Sequence, residues 1–548
     1  MPGVVHNPSE YGVVSGVGRA QWSRHLDDVV AGCTLLARVP AFLRRPIRPS
    51  DAREVVQGRL ARREADFLEL VRREVFGLAR DPYRALFRHA GCEFGDLERL
   101  TRTEGVDGAL GALARHGVYL TLDEFKGRAP VRRGALTVPM ARADTLTRMA
   151  RGLLGLRTSG SRGTPSSVPM SLAFEADHTV NACLFLAARG NDGWMHALWE
   201  VPGGAALRHV LWLSRLGQPP TRWFSQADPR GRALPARYAW SWRLARLSAA
   251  AGGVRLPPAR FISVDEPAEI VDWMARALAA GRVPHVWTFV TSAVRVCQAA
   301  EAAGIRLDGA QFTANGEPIT AGRIAAIERV GARLGGYYGS VETGPLGYAC
   351  LAASQPDEMH LLCDLHAVVN VTGTETNGSL PSDTMLVSSL RPTAPLFLLN
   401  VALGDCGVTL VRRCGCPLES LGWTPRRHAI RSYSKVTVGG MTFFDSDLIG
   451  VLEEILPARF GGGPTDYQLI ENATPDGRSA LRLVIAPSVG SVDPAAVEEA
   501  FLDGISARSD AAKVMAMAWR RASVLRIERR LPTVADSGKI AHFRSIAR

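Results

Sequence analysis

The sequence predicts an α/β protein: a large unit of mixed sheets and helices, followed by a small α+β unit. Two observations predict it. Between about residues 150 and 430, apolar strand-like runs alternate with helix-like runs, a pattern of strands and helices layered in one fold. Near residues 425–435 the composition changes and a shorter series of strands and helices begins.

The elements follow in order. Ala52–Phe76 is rich in helix formers, with Leu60, Phe67, Leu68, Leu70 and Val71 as apolar-face positions between charges. Residues 77–150 read as short helices with turns. His209–Leu213 (HVLWL), Val283–Val290 and Met385–Ser389 read as strands, with helices at Glu266–Ala280 and Val294–Ala303. Beyond the composition change come a strand at Lys435–Val438, a Gly-Gly turn and a helix at Ser446–Ile455. Strands at Tyr467–Glu471 and Ala480–Ala486 and a helix at Pro494–Arg508 complete the series. The expected organisation is a helical extension over residues 1–75, a large domain over 76–430 and a small C-terminal domain over 431–548.

Composition narrows the class. The chain has 548 residues, 46% hydrophobic and 22% charged, which excludes collagen, disulfide mini-proteins and a wholly disordered chain. Net charge is +12, yet only Lys126, Lys435, Lys513 and Lys539 are lysine among 65 basic residues. The arginines are spread along the chain without a basic block or nucleic-acid motif, so no nucleic-acid partner is expected. Nine scattered cysteines fit a reducing compartment. The N-terminus MPGVVHNPSEYGVV has no basic-then-apolar leader, and no apolar run approaches the roughly 18 residues of a membrane span. A cytoplasmic protein is expected.

Five segments carry chemistry. In Thr158–Ser167 (TSGSRGTPSS), two glycines among hydroxyl residues let backbone amides approach an anion, with Ser and Thr hydroxyls as further donors. The alternative is a surface loop. The segment is neither a P-loop, lacking its lysine, nor a nucleophile elbow. Thr313–Thr320 (TANGEPIT) precedes a helix. In Gly335–Gly347 (GGYYGSVETGPLG), Glu342 is a hard oxygen donor suited to Mg²⁺ shared with phosphates, and Tyr338 offers a face for a base. A solvated turn is the plainer alternative. In Asn400–Gly407 (NVALGDCG), Asp405 could accept from two ribose hydroxyls or form an Asx turn. Leu531–Arg544 (LPTVADSGKIAHFR) carries Lys539. His178 is a helix-face histidine in preference to a general base. Trp240, Trp242 and Trp287 could line an aryl pocket or pack the core.

In this order the five segments resemble the adenylate-forming superfamily, and more closely its phenylacetate–CoA ligase-like branch. Asp81–Gly91 (DPYRALFRHAG) and Leu120–Pro130 (LTLDEFKGRAP) extend the resemblance, which covers roughly residues 80–548. It implies a large adenylate-forming domain and a small mobile C-terminal one. It also implies ATP, Mg²⁺ and a small carboxylic acid that becomes an acyl-AMP. Thr158, Ser159, Gly160, Ser161, Gly163 and Thr164 would then hold the ATP phosphates. Gly316, Glu317 and Pro318 would line the adenine pocket, with Tyr338 stacked on adenine and Gly339 beside it. Glu342 would hold Mg²⁺, Asp405 the ribose, and Arg431 would mark the entry to the small domain. Lys539 would meet the charge that grows at the α-phosphate.

Two positions depart from the family pattern. NVALGD stands where a YRTGD-like run is usual, and Ser432-Tyr433-Ser434-Lys435 stands where acidic hinge residues are common. The acceptor is therefore left open among CoA, a carrier-protein thiol and an amine. Unusual adenylate chemistry, such as diazotisation or amide formation, is an alternative, as is a non-catalytic nucleotide-binding zinc protein. Cys350, His360, Cys414 and Cys416 supply three thiolates and one imidazole, a set suited to tetrahedral Zn²⁺, and the branch has zinc-bearing members. The alternative is buried free thiols, with Cys363, Cys406 and His366 as competing positions.

Overall fold

The computed structural model describes residues 14–77, 82–150, 153–157, 167–201, 203–226, 236–372, 380–432, 436–438, 441–443, 445–473, 479–507, 516, 519–520, 525–534, 540 and 542–546. Thr158–Thr164, Lys539 and the positions 433–435 lie outside them.

The described residues form a mixed α/β fold around one 12-stranded sheet with two halves. In the parallel half, Ala259–Phe261, Arg222–Ser225, Met195–Glu200, Pro284–Phe289, Gln311–Asn315 and Arg333–Ser340 lie side by side in that order. Each passes to the next in sequence through one helix, because parallel neighbours need a crossover. Pro284–Phe289 is buried at every residue, as expected of a strand covered on both faces. The antiparallel half continues through Gly344–Ala349, Met359–Leu361, Arg426–Ser432, Val401–Thr409, Thr384–Ser389 and His366–Val371. The hairpin between Arg333–Ser340 and Gly344–Ala349 joins the halves.

The expectation of a strand at His209–Leu213 is corrected: the run lies inside the helix Gly204–Arg215. Residues 208–214 are all buried, so the run shows no polar face. A short apolar run of this kind has no periodicity to separate strand from helix. The helix packs on Leu172–Ala188, where Glu175 accepts from Arg208 Nε at 2.8 Å and Trp212 Nε1 at 2.9 Å. The single helix expected at Ala52–Phe76 is divided into Pro49–Ala61, Arg63–Val71 and a wider π-turn at Arg72–Phe76.

These N-terminal helices are built into the large unit. Phe67, Leu70, Val71 and Val75 share a hydrophobic cluster with Tyr83, Phe125, Leu386 and Val401. Arg59 is buried and reaches Asp177 at 2.6 Å and Asp364 at 3.1 Å. Asp364 also accepts from Asn181 Nδ2 and Trp423 Nε1. Burial pushes the Asp364 carboxyl up in pKa against the pull of Arg59.

The C-terminal unit has a sheet ordered Leu525–Arg529, Ser479–Ile485, Tyr467–Ala473 and Phe543–Ile546. Its own cluster centres on Leu452, Tyr467, Leu483, Phe501 and Trp519. A buried ionic group ties it to the large unit. Arg323 Nη2 lies 2.7 Å from Glu453 Oε1, and His542 Nε2 lies 2.6 Å from the same oxygen. Thr320 Oγ1 donates to Glu453 Oε2 at 2.5 Å. Burial raises the Glu453 pKa, but the charges of Arg323 and His542 with the hydrogen bonds outweigh it and hold the carboxyl down to about 2.

Glu453→Gln should leave Arg323 buried beside a neutral amide and cost roughly 3–5 kcal/mol, read by denaturant unfolding. Because the folded pKa is depressed, Glu453 stabilises above the ordinary carboxyl pKa of 4.5 and loses that contribution as pH falls toward 2. The wild type should therefore lose more stability over this range than Glu453→Gln.

Candidate active site and metal-binding group

The site is built around the hairpin that joins the two halves of the sheet. Its turn is tight because two residues lack a Cβ. A Cβ on Gly339 would lie 2.1 Å from the Gly344 carbonyl oxygen. Gly344 has φ +65°, and a Cβ there would lie 2.4 Å from His178 Nε2. Ser340 and Thr343 tie the turn together: Ser340 N donates to Thr343 Oγ1 and Thr343 N to Ser340 Oγ. Glu342 stands within this turn, partly exposed, and among the described residues no side chain hydrogen-bonds its carboxylate. A fixed carboxylate with free lone pairs suits a hard cation.

Tyr338 precedes the turn, and its hydroxyl donates to Asp405 Oδ2 at 2.9 Å. The structure thus brings together two residues 67 positions apart that the sequence singles out separately. Asp405 lies on Val401–Thr409, paired with Ser432, while Cys406 pairs with Arg431. Arg431 Nη1 donates to the Ala429 carbonyl. The strand is anchored by Asn400, at φ +50°, whose amide donates to the Leu110 and Val118 carbonyls. Asn tolerates this left-handed conformation better than most side chains.

Asn315–Ile319 leaves the C-terminal end of a parallel strand, the edge where α/β sheets bind ligands. Gly316 makes the turn at φ +77°. Gly336 admits the loop, since a Cβ there would lie 2.1 Å from Ile319 Cδ1. Glu317 turns inward: its carboxylate accepts from Thr291 N and Thr291 Oγ1, both at 2.7 Å. It therefore caps the helix Val290–Ala302, satisfying an amide without an intrahelical partner. The Pro318 carbonyl accepts from Arg323 Nη1 at 3.0 Å.

His178 is buried, and burial pushes its pKa well down, favouring the neutral ring. Its ring sits 4.4 Å from that of Phe174 and backs the turn. Trp287 is fully buried and stacks on His209 at 4.5 Å. A buried chain that the sequence does not single out runs beside it: His209 Nδ1 lies 2.8 Å from Glu200 Oε2, and His209 Nε2 lies 2.9 Å from the Tyr337 hydroxyl. Only their juxtaposition from a strand, a helix and the sheet junction marks these residues. Trp242 packs on Trp223, and the Trp240 side chain lies outside the described residues.

The four metal-ligand candidates converge. One donor atom from each of Cys350, His360, Cys414 and Cys416 lies within 4.8 Å of all the others. His360 Nε2 is 3.4 Å from Cys414 Sγ and 3.2 Å from Cys416 Sγ. A tetrahedral ion with sulfur at ~2.3 Å and nitrogen at ~2.0 Å requires ligand separations of about 3.5–3.8 Å, which the observed separations bracket. His360 Nδ1 lies 2.6 Å from the Trp423 carbonyl, which places its proton there and turns the Nε2 lone pair toward the thiols. Burial also favours the neutral imidazole. Burial raises the Cys350 and Cys414 thiols in pKa. Cys416 ends below the usual value because amide donors, including that of Glu419, outweigh its burial. Gly415, at φ +68°, lets both cysteines face the same point. The competing Cys363, Cys406 and His366 are not part of this group.

No family model matches the chain, and no curated protein does. Solved structures do. The chain is similar to an anthranilate CoA ligase, AuaEII, in complex with anthranoyl-AMP, at 12% identity and a TM-score of 0.42 over 84% of this chain and 79% of that one. It is similar to the O-succinylbenzoate coenzyme A synthetase MenE from Bacillus subtilis with ATP and magnesium, at 12% identity and a TM-score of 0.39 over 72% and 70%. It is also similar to a mutant amide bond synthetase from Marinactinospora thermotolerans, at 14% identity and a TM-score of 0.30 over 84% and 92%. No helix among the described residues is long and apolar enough to cross a membrane.

Elemental analysis of purified protein should give about one equivalent of a tetrahedrally coordinated divalent metal per chain. Cys414→Ser should lower both metal content and melting temperature. Fully folded, metal-free wild type would exclude the site.

Proposed function

We propose that this chain is an ATP-dependent ligase that activates a small carboxylic acid as its acyl-AMP. The observation that carries the reading is the Tyr338–Asp405 hydrogen bond, with Glu342 four residues further on and the Asn315–Ile319 loop packed alongside. Those segments stand in the adenylate-forming order in the sequence and meet at one end of the sheet. A decayed nucleotide site would have little reason to keep Glu342, Asp405 and Lys539 together.

In the reaction, a carboxylate oxygen of the acid attacks the α-phosphorus of ATP. The bond from that phosphorus to the bridging oxygen breaks, and pyrophosphate leaves with the electron pair. Tyr338 and Asp405 hold the nucleoside, Tyr338 by its ring and Asp405 through the ribose hydroxyls. The Thr158–Thr164 segment receives the phosphates. Mg²⁺, held by Glu342, would neutralise phosphate charge. Lys539, carried by the small unit, meets the charge that grows at the α-phosphate, the place where a preorganised cation is most effective. Gly316, Pro318 and Gly339 shape the adenine end, and Glu317 sets the loop of Gly316 and Pro318 through Thr291. Arg431 stands at the passage to the small unit.

The Cys350–His360–Cys414–Cys416 group is read as structural Zn²⁺, because four protein ligands leave no open position for substrate. The acceptor is CoA, a carrier-protein thiol or an amine. The altered segment Ser432–Lys435 favours a second reading, in which the adenylate is used for amide formation or diazotisation. Activity in the cytoplasm and relation to the phenylacetate–CoA ligase-like branch belong to the same proposal.

Pyrophosphate release across a panel of carboxylic acids tests the reading: at least one acid should give ATP-dependent release, and none would defeat it. Lys539→Ala should lower single-turnover adenylate formation by roughly 10²–10³-fold. ATP affinity by calorimetry should change little, since the large unit supplies the other contacts.

A further inference from the structure

Arg142 stands apart from every other arginine among the described residues. Its Nε, Nη1 and Nη2 atoms are all buried, and none has a hydrogen-bond partner. The guanidinium lies over the Phe125 ring, 4.3 Å from its centroid. Leaving a buried cation's donors unpaired is costly, so such a group calls for an explanation. Elsewhere the chain meets this demand: Arg59 has two carboxylates, Arg208 has Glu175, and Arg189 donates to Thr313, Gln311 and the Phe312 carbonyl.

Its surroundings place Arg142 at the proposed site. Phe125 ends the short helix Leu122–Phe125, which packs on Val401–Thr409; a Cβ on Gly404, next to Asp405, would lie 3.4 Å from Leu122 Cδ2. Phe125 and Met140 belong to the same hydrophobic cluster against which Tyr338 and Val341 pack, and Val341 adjoins Glu342. Burial depresses the Arg142 pKa, and the opposing influence is the charge of Glu342. The guanidinium therefore shares an environment with the carboxylate assigned to Mg²⁺, without an ion pair between them.

We propose that Arg142 is a ligand of the β- and γ-phosphates of ATP, and of pyrophosphate once formed. This rests on the adenylating reading above. A planar fork with unused donors matches phosphate oxygens bidentately. A phosphate between Arg142 and a cation on Glu342 would satisfy both at once. As the Pα–O bond breaks, the electron pair moves onto the pyrophosphate oxygen, and Arg142 stabilises the charge that accumulates there.

The test uses Arg142→Met in the full-length protein. Methionine keeps an unbranched apolar stem against Phe125 and removes the unpaired charge. Calorimetric titration with magnesium pyrophosphate should show roughly 10- to 100-fold weaker binding, the range for losing hydrogen bonds to a charged group. Titration with AMP should be unchanged. The ligand-free variant should melt at or above the wild-type temperature, because an uncompensated buried cation is gone. A structural arginine would behave oppositely. A lower melting temperature with unchanged pyrophosphate binding overturns the assignment, and so does weakened AMP binding with intact pyrophosphate binding. If Arg142→Met does not fold, Arg142→Lys, which keeps the charge but loses the fork, should show weaker magnesium pyrophosphate binding with AMP binding unchanged, and unchanged pyrophosphate binding overturns the assignment. Wild type that binds neither ATP nor pyrophosphate would defeat the adenylating reading itself. Wild-type binding that the variant leaves intact removes Arg142 alone.

Discussion

The near-contact of the Gly339 and Gly344 backbones is the constraint on which the site depends. It lies where the sheet changes from parallel to antiparallel pairing. A side chain at either position would collide with backbone or with His178, and the turn would have to open. Opening it would move Glu342 and swing Tyr338 from Asp405. A rigid turn between two large half-sheets fixes the positions of Tyr338 and Glu342 with one element. Positioning groups in advance on rigid elements lowers the reorganisation that a reaction requires.

Around this turn, buried charge is used in two ways. Arg59, Arg208 and Arg323 are paired with carboxylates and join elements distant in sequence. Such pairs add little net stability relative to apolar packing, but they are intolerant of losing one member. Glu317 belongs with them: it serves the N-terminus of a helix and so fixes the loop that carries Gly316 and Pro318. Glu342 and Arg142 are different, since among the described residues neither charged group has a hydrogen-bond partner. That contrast is the ground on which ligand roles are proposed for these two residues and not for the paired ones.

The cysteine–histidine group acts on the same half of the sheet. Cys350 follows the strand Gly344–Ala349, and His360 lies on its antiparallel neighbour. Cys414 and Cys416 come from the connection between Val401–Thr409 and Arg426–Ser432, the strands of Asp405 and Arg431. An ion bound there would clamp the antiparallel half at the end of the hairpin's second strand. Trp423, through its carbonyl on His360 and its indole on Asp364, links this group to the Arg59 network.

The sequence by itself determined the α/β class, most strands and helices, and the four metal-ligand candidates that the structure brings together. These follow from local periodicity, glycine-rich turns and residue chemistry, which are properties of neighbouring residues. It misread His209–Leu213, because a helix buried on all sides has no polar face to reveal its period. It read the first 75 residues as an extension, whereas Phe67 and Arg59 are inside the large unit. Only the tertiary structure decided that Tyr338 meets Asp405, that Glu317 faces a helix, and that Arg142 is, among the described residues, the arginine with all three side-chain nitrogens buried and without a hydrogen bond. In a chain with so many arginines no local signal marks that one. Whether a buried charge finds a partner depends on contacts between residues far apart in sequence, and those exist only once the chain has packed.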